Sequence, residues 1–324
     1  MKVNGKTKQR IAITGGAGFI GSHFTEELLA KGHSILAIDN LCSGTKEHLN
    51  PFLSNSNFSF ELMSVEDTEK LTYFLTKVDT VIHLASNPDI AKSVSEPRID
   101  FTQGTALTES VAEASRRANV KNILYASGSG VYGDAGDAIL FENSELNPIS
   151  TYGASKLAGE ALLSSYSYMF GMRTLSFRFA NVVGGMQTHG VGFDFLLKLK
   201  KDQTKLEILG DGNQSKSYVH VSDVVSGVLT AFSKTVKLND VFNVSTSDDL
   251  SVTEIAQLAI NISGLDPKSV EFKYSGGERG WKADVPVVRL NSNKLRNLGW
   301  APKYTSRQAM QDALTTMNKK YNGV

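Results

Sequence analysis

The chain opens on a strand, turn, helix and strand, and this order constrains its fold more than any other feature. The apolar run RIAIT (10–14) is followed by glycines at Gly15, Gly18 and Gly21 and then by a segment with helical spacing of its apolar residues. A second apolar run, HSILAID (33–39), comes next. These pieces form a βαβ unit, so we expect the chain to build a parallel sheet.

The alternation of strand and helix continues as far as about residue 180. We therefore predict an α/β fold, a Rossmann-like doubly wound parallel sheet with helices on both faces. After residue 181 the pattern loosens, which indicates a smaller mixed C-terminal lobe. The expected division is a first domain over 1–180 and a lobe over 181–324, with 217–247 returning to the first domain. The predicted strands are 80–86, 122–127 and 174–181, and the predicted helices are 105–118 and 153–170.

Three local signals lie in the second half of the chain. The turn GDGN (210–213) is flanked by two apolar runs that we expect to be short strands. Ser222 or Asp223 could cap the helix that follows. Ser251 stands three residues before Glu254 ahead of an apolar run, which is the spacing of a capping box.

The glycine turn has the form expected of a phosphate-binding loop. Without a Cβ at Gly15, Gly18 and Gly21, backbone amides can approach a pyrophosphate at the start of the helix, where unpaired N–H groups favour anions. The next strand ends at Asp39, whose carboxylate can accept hydrogen bonds from the ribose hydroxyls of a dinucleotide. That carboxylate would repel a 2′-phosphate, so we predict that the cofactor is NAD and not NADP.

The composition argues against several classes of partner. The 34 basic and 33 acidic residues leave a formal net charge of +1, without the basic excess that nucleic-acid or membrane-surface binding requires. No apolar run approaches the roughly 18 residues of a membrane span. The one cysteine, Cys42, cannot form an internal disulfide, so we expect a cytoplasmic protein. The 6 histidines show no metal-ligand spacing, and we expect His83 and His220 to be structural.

A tyrosine and a lysine stand four residues apart at the start of a predicted helix. Tyr152 and Lys156 in TYGASK would share one helical face, one turn apart. A free phenol has a pKa of about 10, too high for a base at neutral pH. A nearby ammonium group and a cationic nicotinamide would lower it, so this pair is a candidate for acid–base catalysis. The alternative is a surface pair with no chemical role.

Two serines follow the strand that precedes this helix. In YASGSGVYG (125–133), Ser127 and Ser129 would lie at the carboxyl edge of the sheet, where open α/β folds bind ligands. Either hydroxyl could hold a substrate hydroxyl and share its proton with Tyr152. The other possibility is that both serines only form a turn.

With these motifs assembled, the chain resembles the extended short-chain dehydrogenase/reductases, and within them the nucleotide-sugar epimerases of the UDP-glucose 4-epimerase type. The resemblance runs from about Arg10 to Met310 and includes TGGAGFIGSH, DNLCSG, VIHLAS, YGASK, RFANVVG, SYVHVSD and ERGWKADV. The family pattern is broken at four places. Gly128 replaces a usual Ser or Thr, Ser64 replaces an aspartate often placed near the adenine, Lys216 replaces a frequent arginine, and Ala283 replaces a glycine.

The resemblance implies a set of site residues and a homodimer. In the family, helices like 104–118 and 153–170 form the dimer interface; alternatively, both simply cover the sheet. The implied catalytic residues are Ser129, Tyr152 and Lys156, with Ser127 as the alternative hydroxyl. The implied substrate-binding residues are Ser127, Asn181, Val191, Lys216 and Arg279. The implied NAD-binding residues are Gly15, Gly18, Phe19, Ile20, Gly21, Asp39, Asn40, Ser43, Gly44, Leu84, Ala85, Ser86, Tyr152, Lys156 and Phe179.

The implied activity is inversion of C4 of a UDP-hexose through a transient 4-keto sugar, with NAD recycled. A dehydratase or decarboxylase of the same superfamily is the first alternative. Dehydratases of the family carry an Asp–Glu pair where this chain has Ser129 and Gly130, and no basic clamp for a uronate is recognisable. The second alternative is a non-catalytic NAD-binding regulatory protein, since a fold does not fix a function.

Overall fold

A computed structural model of the protein describes residues 2–3 and 6–322. Its strands are β1 (Lys2–Val3), β2 (Lys6–Thr7), β3 (Arg10–Thr14), β4 (Ser34–Asp39), β5 (Phe58–Leu62), β6 (Thr80–His83), β7 (Asn122–Gly128), β8 (Ile139–Leu140), β9 (Arg173–Phe179), β10 (Asn181–Val183), β11 (Lys205–Ile208), β12 (Ser215–Lys216), β13 (Tyr218–His220), β14 (Asn239–Val244), β15 (Leu250–Ser251), β16 (Glu271–Tyr274) and β17 (Val287–Leu290).

The α-helices begin and end close to the predicted apolar periodicities. They are α1 (Phe19–Ala30), α2 (Thr68–Leu75), α3 (Arg98–Asp100), α4 (Leu107–Arg117), α5 (Thr151–Phe170), α6 (Val191–Lys201), α7 (Val221–Lys234), α8 (Val252–Ile262), α9 (Asn293–Arg296) and α10 (Ser306–Asn322). A π-helical segment, Phe101–Ala106, joins α3 to α4.

Seven strands form the main sheet in the order β14-β9-β7-β6-β3-β4-β5. Strand β3 pairs in parallel with β4 on one side and with β6 on the other. The strand order therefore reverses at β3, and the loops after β3 and β6 leave the same edge of the sheet. This arrangement confirms the predicted doubly wound parallel sheet, and open α/β folds of this kind bind ligands at that edge.

Apolar side chains from the strands and helices fill the space on the face of this sheet that α4 and α5 cover. Val81 and Ile123 of neighbouring strands are fully buried, and so are Val111 of α4 and Leu163 of α5. Burial of each such side chain stabilises the fold by about 1.5–3 kcal/mol. The packing fixes α4 and α5 against the strands whose ends carry the candidate site.

The chain divides into two compact units, neither of which is continuous in sequence. The first contains the chain up to Val131, Thr151–Arg178 and Val228–Phe242. The second contains Tyr132–Ser150, Phe179–Gly227 and the chain from Asn243. The expected division at residue 180 differs from this one by the segment 132–150, and the returning segment is shorter than the expected 217–247.

The second unit contains small sheets, and here the three local predictions have different outcomes. Strands flank the GDGN turn as expected, but β11 pairs with β16 while β12 pairs with β15 and β17. The capping box of α8 is confirmed by hydrogen bonds in both directions between Ser251 and Glu254. The predicted cap at Ser222 or Asp223 is wrong, because α7 already begins at Val221.

Asp223 has a different role in the second unit. Its two carboxylate oxygens accept hydrogen bonds from the backbone N–H groups of Lys303 and Tyr304, at 3.0 and 3.2 Å.

Within the part of the chain that the structure describes, no helix combines the length and apolar character needed to span a bilayer.

Candidate active site

The glycine turn lies between β3 and α1 and is shaped so that only glycine fits. Gly15 has a φ of +70°, and a Cβ on it would lie 2.9 Å from the backbone nitrogen of Ala85. A Cβ on Gly21 would lie 2.4 Å from the carbonyl oxygen of Gly15. Gly18 is the N-cap of α1, and its position receives no side-chain capping bond from the described residues. The start of α1 is thus a bare backbone cradle that fits a pyrophosphate.

Asp39 closes the first βαβ unit with a buried carboxylate. One oxygen accepts the N–H of Ala17 at 3.0 Å and the other accepts the N–H of Leu41 at 2.8 Å. Burial raises the pKa of Asp39, and these hydrogen bonds oppose the rise. A Cβ on Gly44 would lie 2.9 Å from both carboxylate oxygens. A carboxylate offers about four acceptor sites, so Asp39 retains capacity for ribose hydroxyls.

The other residues around Asp39 are on an exposed loop. The side chain of Asn40 accepts the N–H of Cys42 at 3.0 Å, and Cys42 and Ser43 are exposed. Across the sheet edge, the N–H of Leu84 donates to the carbonyl of Thr14 at 3.1 Å. Leu84, Ala85 and Ser86 therefore begin the loop that leaves β6 beside the glycine turn.

His83 and His220 have the hydrogen bonds expected of structural histidines. The buried ring of His83 contacts the hydroxyls of Thr14 at 2.7 Å and Thr108 at 3.1 Å. Burial lowers the pKa of His83 to about 3, so its ring is neutral. His220 contacts the hydroxyl of Ser222 at 2.7 Å. Among the described residues there is no cluster of His, Cys, Asp and Glu that could hold a metal ion.

Tyr152 and Lys156 lie in the first turns of α5, on one face as predicted. Lys156 is only 3% exposed, and its Nζ donates to the carbonyl of Ala126 at 2.9 Å. The same Nζ lies 5.5 Å from the ring centre of Tyr152 and 5.3 Å from that of Tyr125. The lysine is thus held between the strand end and the tyrosine ring.

The ionisation of this pair differs from that of free side chains. Burial raises the pKa of Tyr152 to about 12, and the Asp100 carboxylate adds to the rise. Burial lowers the pKa of Lys156 to about 8, and Asp100 opposes that fall. In the protein alone the phenol is therefore protonated at neutral pH. The predicted lowering of the phenol pKa requires the positive charge of the nicotinamide as well as Lys156.

The two serines after β7 have different surroundings. Ser127 is 4% exposed, and its hydroxyl donates to Glu160 of α5 at 2.5 Å. Glu160 in turn pairs with the buried Arg178, at 2.7 Å. None of the residues that the structure describes hydrogen-bonds to the hydroxyl of Ser129, which is partly exposed. A Cβ on Gly128, between the two serines, would meet no atom within 4 Å.

The remaining predicted residues belong to the second unit. Lys216 donates to a carboxylate oxygen of Asp284 at 2.6 Å, and Arg279 donates to the backbone carbonyl of the same residue. Arg279 also pairs with Asp134. The structure therefore brings the two predicted diphosphate-binding cations together at Asp284. Asn181 begins β10, Val191 begins α6, and Phe179 ends β9.

Two acidic residues were not predicted from the sequence: Asp100 lies beside Tyr152 and Lys156, and Asp134 pairs with Arg279. Asp100, at the end of α3, is 1% exposed and accepts a hydrogen bond from the hydroxyl of Thr151, the residue before Tyr152. Nothing in the segment EPRIDFTQG marks this aspartate, because its partners are distant in sequence. Asp134 was also missed, for the same reason.

A glycine cradle at the switch point of a doubly wound sheet is the arrangement by which open α/β folds bind dinucleotides. Residues 11–245 match the family model described as the NAD dependent epimerase/dehydratase family. The chain belongs to this family, and its cofactor is NAD.

Relatives of the chain cover nearly its whole length. A protein of Methanocaldococcus jannaschii named "Putative UDP-glucose 4-epimerase" is 30% identical over 95% of this chain and 98% of its own. The UDP-glucose 4-epimerase of Mycolicibacterium smegmatis is 32% identical over 91% and 94%. The structure of the Thermotoga maritima UDP-glucose 4-epimerase with UDP-glucose matches with a TM-score of 0.86, at 31% identity, over 96% and 99%.

Proposed function

We propose that the protein is an NAD-dependent nucleotide-sugar epimerase that inverts C4 of a UDP-hexose. The observation that carries the proposal is the face formed by Tyr152 and Lys156 on α5, with Ser129 directly after β7, whose hydroxyl has no hydrogen-bond partner among the described residues. The named activity of the relatives supports the choice of a UDP-hexose. When bound, NAD would supply the hydride acceptor for the sugar carbon and the hydride donor for the return step.

The residues of the chain move one proton and hold the sugar nucleotide. Tyr152 as phenolate takes the proton from the C4 hydroxyl and later returns it to the same oxygen, while C4 is inverted because the hydride would return to its opposite face. Ser129 orients that hydroxyl through a hydrogen bond. Lys156 donates to the nicotinamide ribose and, together with the cationic ring, favours the phenolate. A 4-keto sugar then turns within the site before the hydride returns.

The two cations of the second unit hold the diphosphate in this proposal. Lys216 and Arg279 are anchored on Asp284, so their charges are already in place before substrate arrives. Binding through the diphosphate leaves the hexose ring free to rotate, and it supplies remote binding energy to the reaction. Asn181 and Val191 are the other proposed substrate contacts. Ser127 is proposed to influence the substrate site indirectly, through its hydrogen bond to Glu160.

Dehydration fits the residues less well. Expulsion of a hydroxyl group needs a general acid near the leaving group. Positions 129 and 130, where dehydratases of this family have carboxylates, hold serine and glycine. A regulatory protein without catalysis would have no need for a buried lysine beside a tyrosine.

A substrate panel tests the proposal. Purified protein loaded with NAD is incubated with UDP-galactose, UDP-N-acetylglucosamine and UDP-glucuronate, and the products are separated by their C4 stereochemistry. We expect UDP-glucose from UDP-galactose, and a loss of turnover by at least about a hundredfold in Tyr152→Phe. Tyr73→Phe, an exposed tyrosine of α2, is the matched control. Unchanged turnover in Tyr152→Phe would refute the proposal.

The homodimer and the cytoplasmic location stay predictions. Tyr168 and Met169 near the end of α5 are more than two-thirds exposed, which supports an interface at this helix. Sedimentation equilibrium distinguishes a 35.2 kDa monomer from a particle of twice that mass.

A further inference from the structure

A buried carboxylate that the proposed mechanism does not use lies beside the catalytic face. Asp100 accepts the amide of Asn87 at 2.9 Å on one oxygen and the hydroxyl of Thr151 at 2.7 Å on the other. No lysine or arginine in the described ranges forms an ion pair with it.

Asp100 joins three parts of the first unit. Asn87 belongs to the loop after β6, and its backbone N–H donates to the carbonyl of Gln103 in the π-helical segment. Thr151 is the first residue of α5 and precedes Tyr152 directly. One carboxylate therefore fixes the start of α5 relative to both the loop and the π-helical segment.

The other ionisable groups around the pair are neutral or compensated. His83 of β6 is neutral because burial lowers its pKa to about 3. Burial raises the pKa of Tyr125 of β7, so its phenol is neutral as well. Glu160, one turn beyond Lys156 on α5, is paired with Arg178. Asp100 is then the negative charge that acts on both Tyr152 and Lys156.

We propose that Asp100 is a positioning residue for this reaction: it holds the first turn of α5 through Thr151 and places a buried negative charge beside Tyr152 and Lys156. The inference rests on the proposed function. Its chemical consequence is that the base forms only in the loaded enzyme, where the cationic nicotinamide outweighs the carboxylate.

Asp100→Asn in the holoenzyme distinguishes the effect of the charge of Asp100 from the effect of its hydrogen bonds. An amide can accept from Asn87 and donate to the Thr151 hydroxyl, so both hydrogen bonds are kept while the charge is lost. Because a negative charge raises the pKa of both neighbours, we expect both limbs of the kcat/KM profile to move to lower pH, by about one unit. Thr151→Val removes one hydrogen bond and keeps the charge, so its limbs should stay within about 0.3 unit of the wild type.

A second readout does not depend on turnover. The near-ultraviolet phenolate absorbance of Tyr152, taken as the difference between each protein and its Tyr152→Phe partner, should titrate at lower pH in Asp100→Asn than in the wild type. If Asp100→Asn does not fold by circular dichroism, Asp100→Ser is the second neutral variant. An unchanged Tyr152 titration overturns the inference. Absence of epimerisation by the wild type would instead refute the proposed function, and the titration would still report on Asp100.

Discussion

At the scale of single residues, the two serines around Gly128 illustrate what local sequence cannot decide. Ser127 and Ser129 flank Gly128, and each is a plausible hydrogen-bond donor in the sequence. The structure separates them because Glu160, 33 positions beyond Ser127, accepts the Ser127 hydroxyl. A partner so far along the chain leaves no local signal.

The assignment of Ser129 leads to a double-variant prediction. Ser129→Ala should lower kcat by about a hundredfold, because a hydrogen bond to the reacting hydroxyl is lost. In a Gly128→Ser background the same change should lower kcat by a smaller factor, since a side chain at Gly128 has room and supplies a second hydroxyl. Steady-state kinetics of the wild type, the two single variants and the double variant measures the loss of kcat in each background.

Two results would contradict the assignment of Ser129. One is wild-type kcat in Ser129→Ala. The other is an equal loss in both backgrounds. Ser127→Ala is the contrasting variant, because it should lower the free energy of unfolding by leaving Glu160 with one donor fewer.

At the scale of elements, sequence periodicity predicted the regular strands and helices but not the irregular connection. The strands of the main sheet are short apolar runs, and the capping box at Ser251 is a local pattern, so both could be predicted. Residues 105–118 were expected to be one helix, whereas the chain is π-helical over Phe101–Ala106 before α4 begins. The reason is tertiary: the π-helical segment packs against α5 at Gly104.

That contact gives a stability prediction for Gly104→Ala. A Cβ there would lie 2.7 Å from the hydroxyl oxygen of Ser155, which itself donates to the carbonyl of Tyr152. We expect a net loss of about 1–2 kcal/mol in the free energy of unfolding, after about 1 kcal/mol of gained helix propensity. Urea denaturation measures it.

Gly128→Ala is the matched control for this change, because its Cβ meets no atom within 4 Å. Its midpoint in urea should stay close to that of the wild type. Equal midpoints for Gly104→Ala and Gly128→Ala would show that the contact at Ser155 is easily relieved, contrary to the prediction.

At the scale of the whole molecule, the two units do not follow one another along the sequence. The first unit is assembled from three segments and the second also from three, so a boundary drawn along the sequence cannot separate them. The family motifs nevertheless lie in both units. Sequence patterns predicted the family motifs better than the boundaries of the two units, because a motif is local whereas a boundary depends on contacts between distant parts of the chain.

Cofactor binding should stabilise the whole chain through linkage. NAD at a hundredfold excess over its Kd should raise the free energy of unfolding by about 2.7 kcal/mol. NADP at the same concentration should raise it less, because its 2′-phosphate would lie against the buried carboxylate of Asp39. Thermal unfolding with each dinucleotide measures the difference.

Asp39→Asn is the control, and it should reduce the difference between the stabilisation of the protein by NAD and its stabilisation by NADP. Equal stabilisation of the wild type by NAD and NADP would contradict the assigned role of Asp39.

The lone cysteine has a practical consequence. Cys42 is exposed on the loop between Asp39 and Gly44, and the chain has no second thiol to compete with it. A maleimide fluorophore would therefore attach only at Cys42, next to the proposed ribose pocket, without any substitution in the protein. Its emission could then follow cofactor arrival and departure in real time.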